Sequence, residues 1–248
     1  MYQKKKQKAL KKIKNKLKNK FMNMLELFAG SRSIGKEAEI NNWNVFSVDI
    51  LAFDKIDYVV NILDFDLSKV PFVPDVIWAS PPCTYFSVAS IGKHWNKDHT
   101  PKTKEALLGV KIVQKTLDII NYFLKINPNL KYYIENPRGK LRKLQVINNY
   151  ERTTVTYCSY GDIAMKPTDI WSNNIKNLLN PNGWTSKPIC KSYKYDKDGN
   201  VINQHCHHEM ARRGSVSGTQ GKKGNYNRSK IPVLLCKEII DSSYLKPN

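Results

Sequence analysis

Asp75-Val76-Ile77-Trp78-Ala79-Ser80-Pro81-Pro82-Cys83-Thr84-Tyr85-Phe86-Ser87-Val88-Ala89-Ser90 is the stretch whose reading decides the fold. Val76 to Ala79 is a short apolar run, as expected of a buried strand, and two prolines stop it at once. Cys83 follows the stop. In open α/β sheets the working residues sit beyond the carboxyl ends of the strands, so Cys83 holds a position for chemistry. The local string alone reads equally well as one more buried structural thiol.

Similar strand ends recur on either side. Upstream, Met24 to Phe28 reads as a strand, Ala29-Gly30-Ser31 as a turn, and Ser33 to Ile40 as a helix with Ser33 as its N-cap. Val45 to Val48 is a second strand ending in Asp49, and Tyr58 to Ile62 a third with Asp64 just beyond it. Downstream, residues 87–103 read as a loop. A long helix follows, with Leu107, Val110, Val113, Leu117, Ile120 and Leu124 on one apolar face. Lys131 to Ile134 is a fifth strand leading into Glu135-Asn136-Pro137. A short helix near Lys140 to Ile147 precedes a sixth strand, Thr153 to Tyr157. This alternation predicts an α/β fold built on a doubly wound, mostly parallel sheet, with a small irregular C-terminal lobe. The division it suggests is a basic extension (1–22), a catalytic domain (23–172), a variable lobe (173–227) and a C-terminal helix that packs back (228–248).

The chain has 248 residues and a formal net charge of +20, which favours a polyanionic partner, nucleic acid before a membrane surface. Ten lysines and no acid lie between Lys4 and Lys20, with Leu10, Ile13, Leu17 and Phe21 at helical spacing. That segment reads either as a phosphate-binding arm or as a solvated tail. The five cysteines are odd in number and widely spaced, which points to a reducing compartment. No stretch approaches the length of a membrane span, and lysines interrupt every apolar pair near the start, so a soluble cytoplasmic protein is expected. Cys190, Cys206, His207 and His208, with Cys158 upstream, lack the paired spacing of a structural zinc site, and no metal is expected. Arg212, Arg213, Lys222, Lys223 and Arg228 read as backbone contacts to DNA or as solvated surface.

Four features fall at one sheet edge on this reading: the Phe28-Ala29-Gly30 turn, Asp49, Cys83 and Glu135. A small-residue turn and a carboxylate about twenty residues on suit a nucleoside-containing cofactor. No Gly-x-Gly-x-x-Gly or Walker lysine provides a phosphate cradle. A thiol can attack covalently, and a glutamate partly withdrawn from water can donate a hydrogen bond near neutral pH.

This ordered set, Phe28-Ala29-Gly30, Asp49, Pro81-Pro82-Cys83 with Phe86-Ser87, then Glu135-Asn136, resembles the cytosine-5 DNA methyltransferases, and above all the compact members common in phages. The resemblance covers about residues 24–172. It implies the class I S-adenosylmethionine-dependent fold, with S-adenosyl-L-methionine as cofactor and double-stranded DNA as partner, its target cytosine flipped out. RNA is a less favoured substrate, and a monomer is expected. Cys83 matches the nucleophile that adds to carbon 6, and Glu135 the acid at ring nitrogen 3. Phe28, Ala29, Gly30, Asp49, Ile50, Asp64 and Pro81 are implied at the cofactor. Ser80, Pro82, Thr84, Ser87, Asn136, Arg138 and Lys166 are implied at the substrate. The chain departs from the family in three places. Arg32 stands where a second glycine is usual, and Thr84 where glutamine follows the cysteine. The Gln-Arg-x-Arg segment after the sixth strand is absent, leaving Lys166 as the cation of that region. The rival readings are an exocyclic-amine DNA methyltransferase, which Ser80-Pro81-Pro82 fits until Cys83, and an inactive DNA-binding protein of the same fold.

Overall fold

The structure, a computed structural model, describes residues 21–190, 198 and 225–244. Seven strands form one sheet: β1 (Asn23–Leu27), β2 (Asn44–Asp49), β3 (Tyr58–Val59), β4 (Val76–Ala79), β5 (Lys131–Pro137), β6 (Arg152–Thr156) and β7 (Pro167–Ser172). They lie in the order β3-β2-β1-β4-β5-β7-β6. Every pairing from β3 to β5 is parallel, and β7 runs antiparallel to both of its neighbours. The strand order reverses between β1 and β4, so the loops after these two strands flank the crevice where open α/β sheets take ligands.

Period-two alternation divides the apolar residues between two cores. Leu25, Leu27, Ile77, Ala79 and Ile134 face the long helix α3 (Lys104–Ile126), which contributes Val113, Leu117 and Ile120. Met24, Val76, Trp78 and Tyr133 face the other way. There they meet Ile34 and Ala38 of α1 (Ser33–Ile40) and Leu235, Cys236, Ile239 and Ile240 of α5 (Val233–Ser243). Helices on both faces explain why β4 reads as an unbroken apolar run and β1 as one interrupted only by Glu26 after Asn23. Two short helices, α2 (Ile91–His94) and α4 (Asn225–Ser229), precede α3 and α5 respectively.

Several local expectations change. Ser33 is the first helical residue of α1, not its cap; the preceding residue is Arg32, with φ 54° and no side-chain cap. The Ser33 hydroxyl instead accepts from the Ile231 N–H at 3.1 Å and holds the approach to α5. The third strand stops at Val59, because the Asn61 side chain accepts from the Leu63 N–H and starts a 3-10 turn, Ile62–Asp64. The buried stripe of α3 runs through Ala106, Gly109, Val113, Leu117, Ile120 and Phe123, while Leu107 is 47% exposed. Thr103 caps α3, and its last residue precedes Asn127-Pro128, where the following proline turns the chain out of helix. Residues 140–147 form two 3-10 turns, Leu141–Lys143 and Gln145–Ile147, where one short helix was expected. The sequence reading missed β7 altogether.

Arg32 explains how the chain dispenses with the second glycine. Its backbone adopts the left-handed region that a glycine would. Its side chain turns inward, where Nε donates to Ser47 Oγ at 2.9 Å and Nη2 pairs with Glu39 Oε1 at 2.5 Å. Glu26 lies beside it, accepting from Ser47 Oγ and from the Gly35 N–H. A Cβ at Gly35 would stand 2.3 Å from Glu26 Oε2, so glycine is what lets the helix lie against this carboxylate. Burial pushes the Glu26 carboxyl up from 4.5 to about 7, against the lowering pull of its hydrogen bonds and of Arg32. An acid whose pKa rises on folding stabilises the protein below its unfolded value and loses that contribution as pH climbs through the folded one. Stability at pH 8 should therefore fall below that at pH 4.5–5 by roughly 3 kcal/mol from this group alone. Glu26→Gln should flatten that slope in urea melts across this range, and an unchanged slope would contradict it.

Candidate active site

Each candidate side chain is placed by the end of a strand. Beyond β1, Phe28 (φ 58°), Gly30 (φ 48°) and Arg32 (φ 54°) all take left-handed backbone and fold the chain into a tight loop before α1. A Cβ on Gly30 would meet Ser229 Oγ at 3.8 Å, an ordinary contact, so the glycine serves backbone conformation. Beyond β2, Asp49 ties the two loops together: Oδ2 accepts from the Gly30 N–H and Oδ1 from the Leu51 N–H, each at 2.9 Å. Ile50 is 63% exposed next to it. Asp64 is exposed at the end of its 3-10 turn.

Beyond β4 the chain runs through Ser80 and the two prolines to Cys83. Ser80 Oγ accepts from the Trp78 indole at 2.9 Å, which turns this hydroxyl back toward the strand. The Cys83 carbonyl accepts from the N–H groups of Phe86 and Ser87, closing a turn. Phe86 anchors that turn in the core. Gly109 on α3 makes room for it, since a Cβ there would lie 3.1 Å from the Tyr85 and Phe86 rings. From the other side the Lys140 N–H donates to the Phe86 carbonyl at 2.7 Å, and a Cβ on Gly139 would come within 2.3 Å of that oxygen. The Cys83 turn is thus held between α3 and the segment after β5.

Ala79 of β4 pairs with Ile134 of β5, so Cys83 and Glu135 leave adjacent strands at one edge. Glu135 is buried, and Tyr157 donates its hydroxyl to Oε1 at 3.0 Å. Burial, then the Glu135 charge, lifts the Tyr157 phenol far above its ordinary range, so it stays a donor. Asn136, expected at the substrate, is fully buried: its amide donates to the Pro81 carbonyl at 2.8 Å and braces the Pro-Pro turn from behind. Pro81 is buried, Pro82 and Thr84 are exposed, and Ser87 is half-buried and bonded to Ser90. Arg138 is exposed, its N–H held by the Pro167 carbonyl.

Lys166 points its ammonium over the Tyr157 ring, 4.4 Å from the centroid, and donates to the Arg228 carbonyl at 2.8 Å. That contact brings α4 across the site. At the other end of α4 the Tyr226 ring lies 5.9 Å from that of Phe53 in the loop after β2, while Ser229, next to Arg228, sits 3.8 Å from where a Cβ on Gly30 would stand. No local pattern announces this crossing, since α4 is short and polar and the residues that position it lie far away in the chain.

Burial first, and the Glu135 carboxylate second, push the Cys83 thiol above its ordinary range, while Lys166 and Arg228 pull it down. A thiolate-limited reaction in this site should therefore speed up about tenfold per pH unit, with no plateau between pH 7 and 9. A flat kcat/KM profile over that range, measured with a nucleic-acid substrate, would contradict this.

Among the described residues no group of three or more His, Cys, Asp or Glu is arranged to hold a metal, and no helix is long and apolar enough to cross a membrane. Cys206, His207, His208, Arg212, Arg213, Lys222 and Lys223, and the lysine-rich segment before Phe21, lie outside the described residues.

With this geometry in place, likeness to known proteins becomes informative. No protein-family model matches the chain. A Frog virus 3 (isolate Goorha) protein named "probable DNA (cytosine-5)-methyltransferase" is 29% identical over 230 residues, covering 89% of this chain and 99% of that protein. That similarity runs over nearly the whole length of both chains. A solved methyltransferase structure from Entamoeba histolytica is similar at 17% identity and a TM-score of 0.46, over 62% of this chain and 53% of that one. Tyr157, in the turn after β6, holds the Glu135 carboxylate, and Lys166 packs over the Tyr157 ring.

Proposed function

We propose that the chain methylates carbon 5 of cytosine in DNA, using S-adenosylmethionine, through a covalent bond to Cys83. The observation that carries this reading is the convergence of Cys83 with the tyrosine-held Glu135 at adjacent strand ends, next to the turn that Asp49 fastens.

The residues beyond β1, β2 and β3 suit the cofactor. Asp49 uses one lone pair on each oxygen for Gly30 and Leu51, which leaves acceptor capacity for ribose hydroxyls. The left-handed turn through Phe28, Ala29 and Gly30 lies along the methionine part, exposed Ile50 offers an apolar face to the adenine, and Asp64 and Pro81 flank it. When bound, S-adenosylmethionine supplies a methyl carbon activated by a positively charged sulfur.

The chain's own residues do the rest. Lys166 and Arg228 favour the Cys83 thiolate, whose sulfur forms a bond to carbon 6 of the base. The ring's double-bond electrons move toward carbon 5, while Glu135, fixed by Tyr157, hydrogen-bonds ring nitrogen 3 and the exocyclic amine. Once carbon 5 carries the methyl group it loses its proton, the double bond re-forms and Cys83 leaves. A stacked base shields its ring face, so the cytosine must leave the helix. Pro82, Thr84, Ser87 and Arg138 rim the pocket on the side where the strand would lie, and the net charge of +20 suits its phosphates. On this reading residues 23–172 are the catalytic domain, residues 228–248 return to complete the cofactor side, and the segment between them carries sequence recognition.

The test is incubation with methyl-labelled S-adenosylmethionine and double-stranded DNA, followed by nucleoside analysis. Labelled 5-methylcytosine is expected. Label in N4-methylcytosine or N6-methyladenine, or no transfer while the cofactor binds, would overturn the reading.

A further inference from the structure

Away from Cys83, two more thiols are brought together. Cys158, in the 3-10 turn Tyr157–Tyr160 after β6, packs with Cys190 and Met165 in a small buried cluster separate from both main cores. A strap of chain sets this register along the outer edge of β6. Ser186 Oγ lies 3.0 Å from Thr153 Oγ1, the Lys187 N–H donates to the Tyr160 hydroxyl, the Pro188 carbonyl accepts from Ser159, and the Cys190 N–H donates to Thr156 Oγ1. Cys190 is thereby held alongside the turn that carries Cys158.

We propose that Cys158 and Cys190 form a reversible dithiol pair, oxidised to a disulfide by a low-molecular-weight disulfide such as oxidised glutathione. One thiolate attacks the glutathione disulfide, giving a mixed disulfide and one glutathione thiolate. The second protein thiolate then attacks the protein sulfur of that mixed disulfide and expels the other glutathione. Two protein thiols lose two protons and two electrons, and the oxidant leaves as two thiols.

The pair sits directly behind the active site. Tyr157, which holds Glu135, precedes Cys158; Lys166 follows Met165; and the Tyr157 N–H is bonded to the Met165 carbonyl at 2.8 Å. A sulfur–sulfur bond of about 2.05 Å is much shorter than a packing contact, so closing it draws the turn toward the strap by about an ångström or more. A shift of that size at a supporting residue slows catalysis by about tenfold or more. This consequence rests on the proposed methyl transfer, whereas the disulfide itself does not.

The experiment equilibrates the full chain in glutathione buffers of graded ratio, quenches in acid, alkylates free thiols and maps the peptides by mass spectrometry. Methyl transfer is measured in parallel. The expected result is a reductant-sensitive link between the Cys158 and Cys190 peptides, a roughly tenfold fall in transfer that dithiothreitol reverses, and neither effect in Cys190→Ser. Cys158→Ala serves as a second variant should the first fold poorly. Full alkylation of both cysteines in the oxidised buffer, or a link from either to Cys83 or Cys206, overturns the pairing. An equal loss of transfer in Cys190→Ser overturns its connection to the active site.

Discussion

Cys83→Ser should abolish methyl transfer, by about 10⁴-fold or more, the scale on which a covalent nucleophile's removal is felt. Serine keeps the shape of the turn but is a far weaker nucleophile than a thiol. The turn depends on the Cys83 carbonyl, Phe86, Gly109 and Gly139 and not on the sulfur, so the variant should fold normally and bind cofactor with unchanged affinity. Calorimetric binding together with a filter-based transfer assay separates the two outcomes. Retention of more than a tenth of the wild-type rate would mean that the thiol does not form the covalent bond.

Arg142→Met should carry the largest stability cost. Asp169 of β7 is completely buried and is gripped by Arg142 Nε at 2.9 Å and Nη2 at 2.5 Å, while Thr154 of β6 donates to the same carboxylate. Since Asn136 of β5 and Thr154 of β6 flank Asp169 in the sheet, this cluster ties together the three strands behind Glu135. Removing one partner strands a buried charge, which costs about 3–5 kcal/mol, and Arg152 at 4.0 Å is too distant to replace the lost pair of hydrogen bonds. Chemical denaturation should show that loss, and adding Asp169→Asn should restore at least half of it by removing the stranded charge. If the double variant is no more stable than the single one, the arginine acts through packing and not through the carboxylate.

The contrast between this cluster and the strand ends shows which parts of the chain were legible in its sequence. Strands buried on both faces are largely apolar, Glu26 of β1 being accommodated by Gly35, Ser47 and Arg32, and they stop where turn chemistry begins. So Met24 to Leu27 and Val76 to Ala79 announced themselves, and with them the edge that holds Asp49, Cys83 and Glu135. β7 did not. Pro167-Thr168-Asp169-Ile170-Trp171-Ser172 opens on a proline and carries an acid that is tolerable only because Arg142, distant in sequence, neutralises it. Arg32 was legible as a departure from the family, but its left-handed backbone and inward guanidinium depend on Glu26, Glu39 and Ser47. The partner of Glu135 was hidden for a similar reason. Tyr157 ends an apolar strand pattern, and nothing local says that its hydroxyl points at a carboxylate on β5. Asn136 has a structural role that its position beside Glu135 did not announce, its amide nitrogen bracing the Pro81 carbonyl while its amide oxygen makes no hydrogen bond among the described residues.

The most direct measurement of the central claim uses duplex DNA in which cytosine carries fluorine at carbon 5. Fluorine cannot leave as a cation, so a thiol added at carbon 6 has no route back once carbon 5 is methylated. Incubation with S-adenosylmethionine should give a complex that survives denaturing electrophoresis, with the base attached to the peptide that contains Cys83. Unmodified Cys83 peptide alongside methylated, freely dissociating DNA would contradict the account.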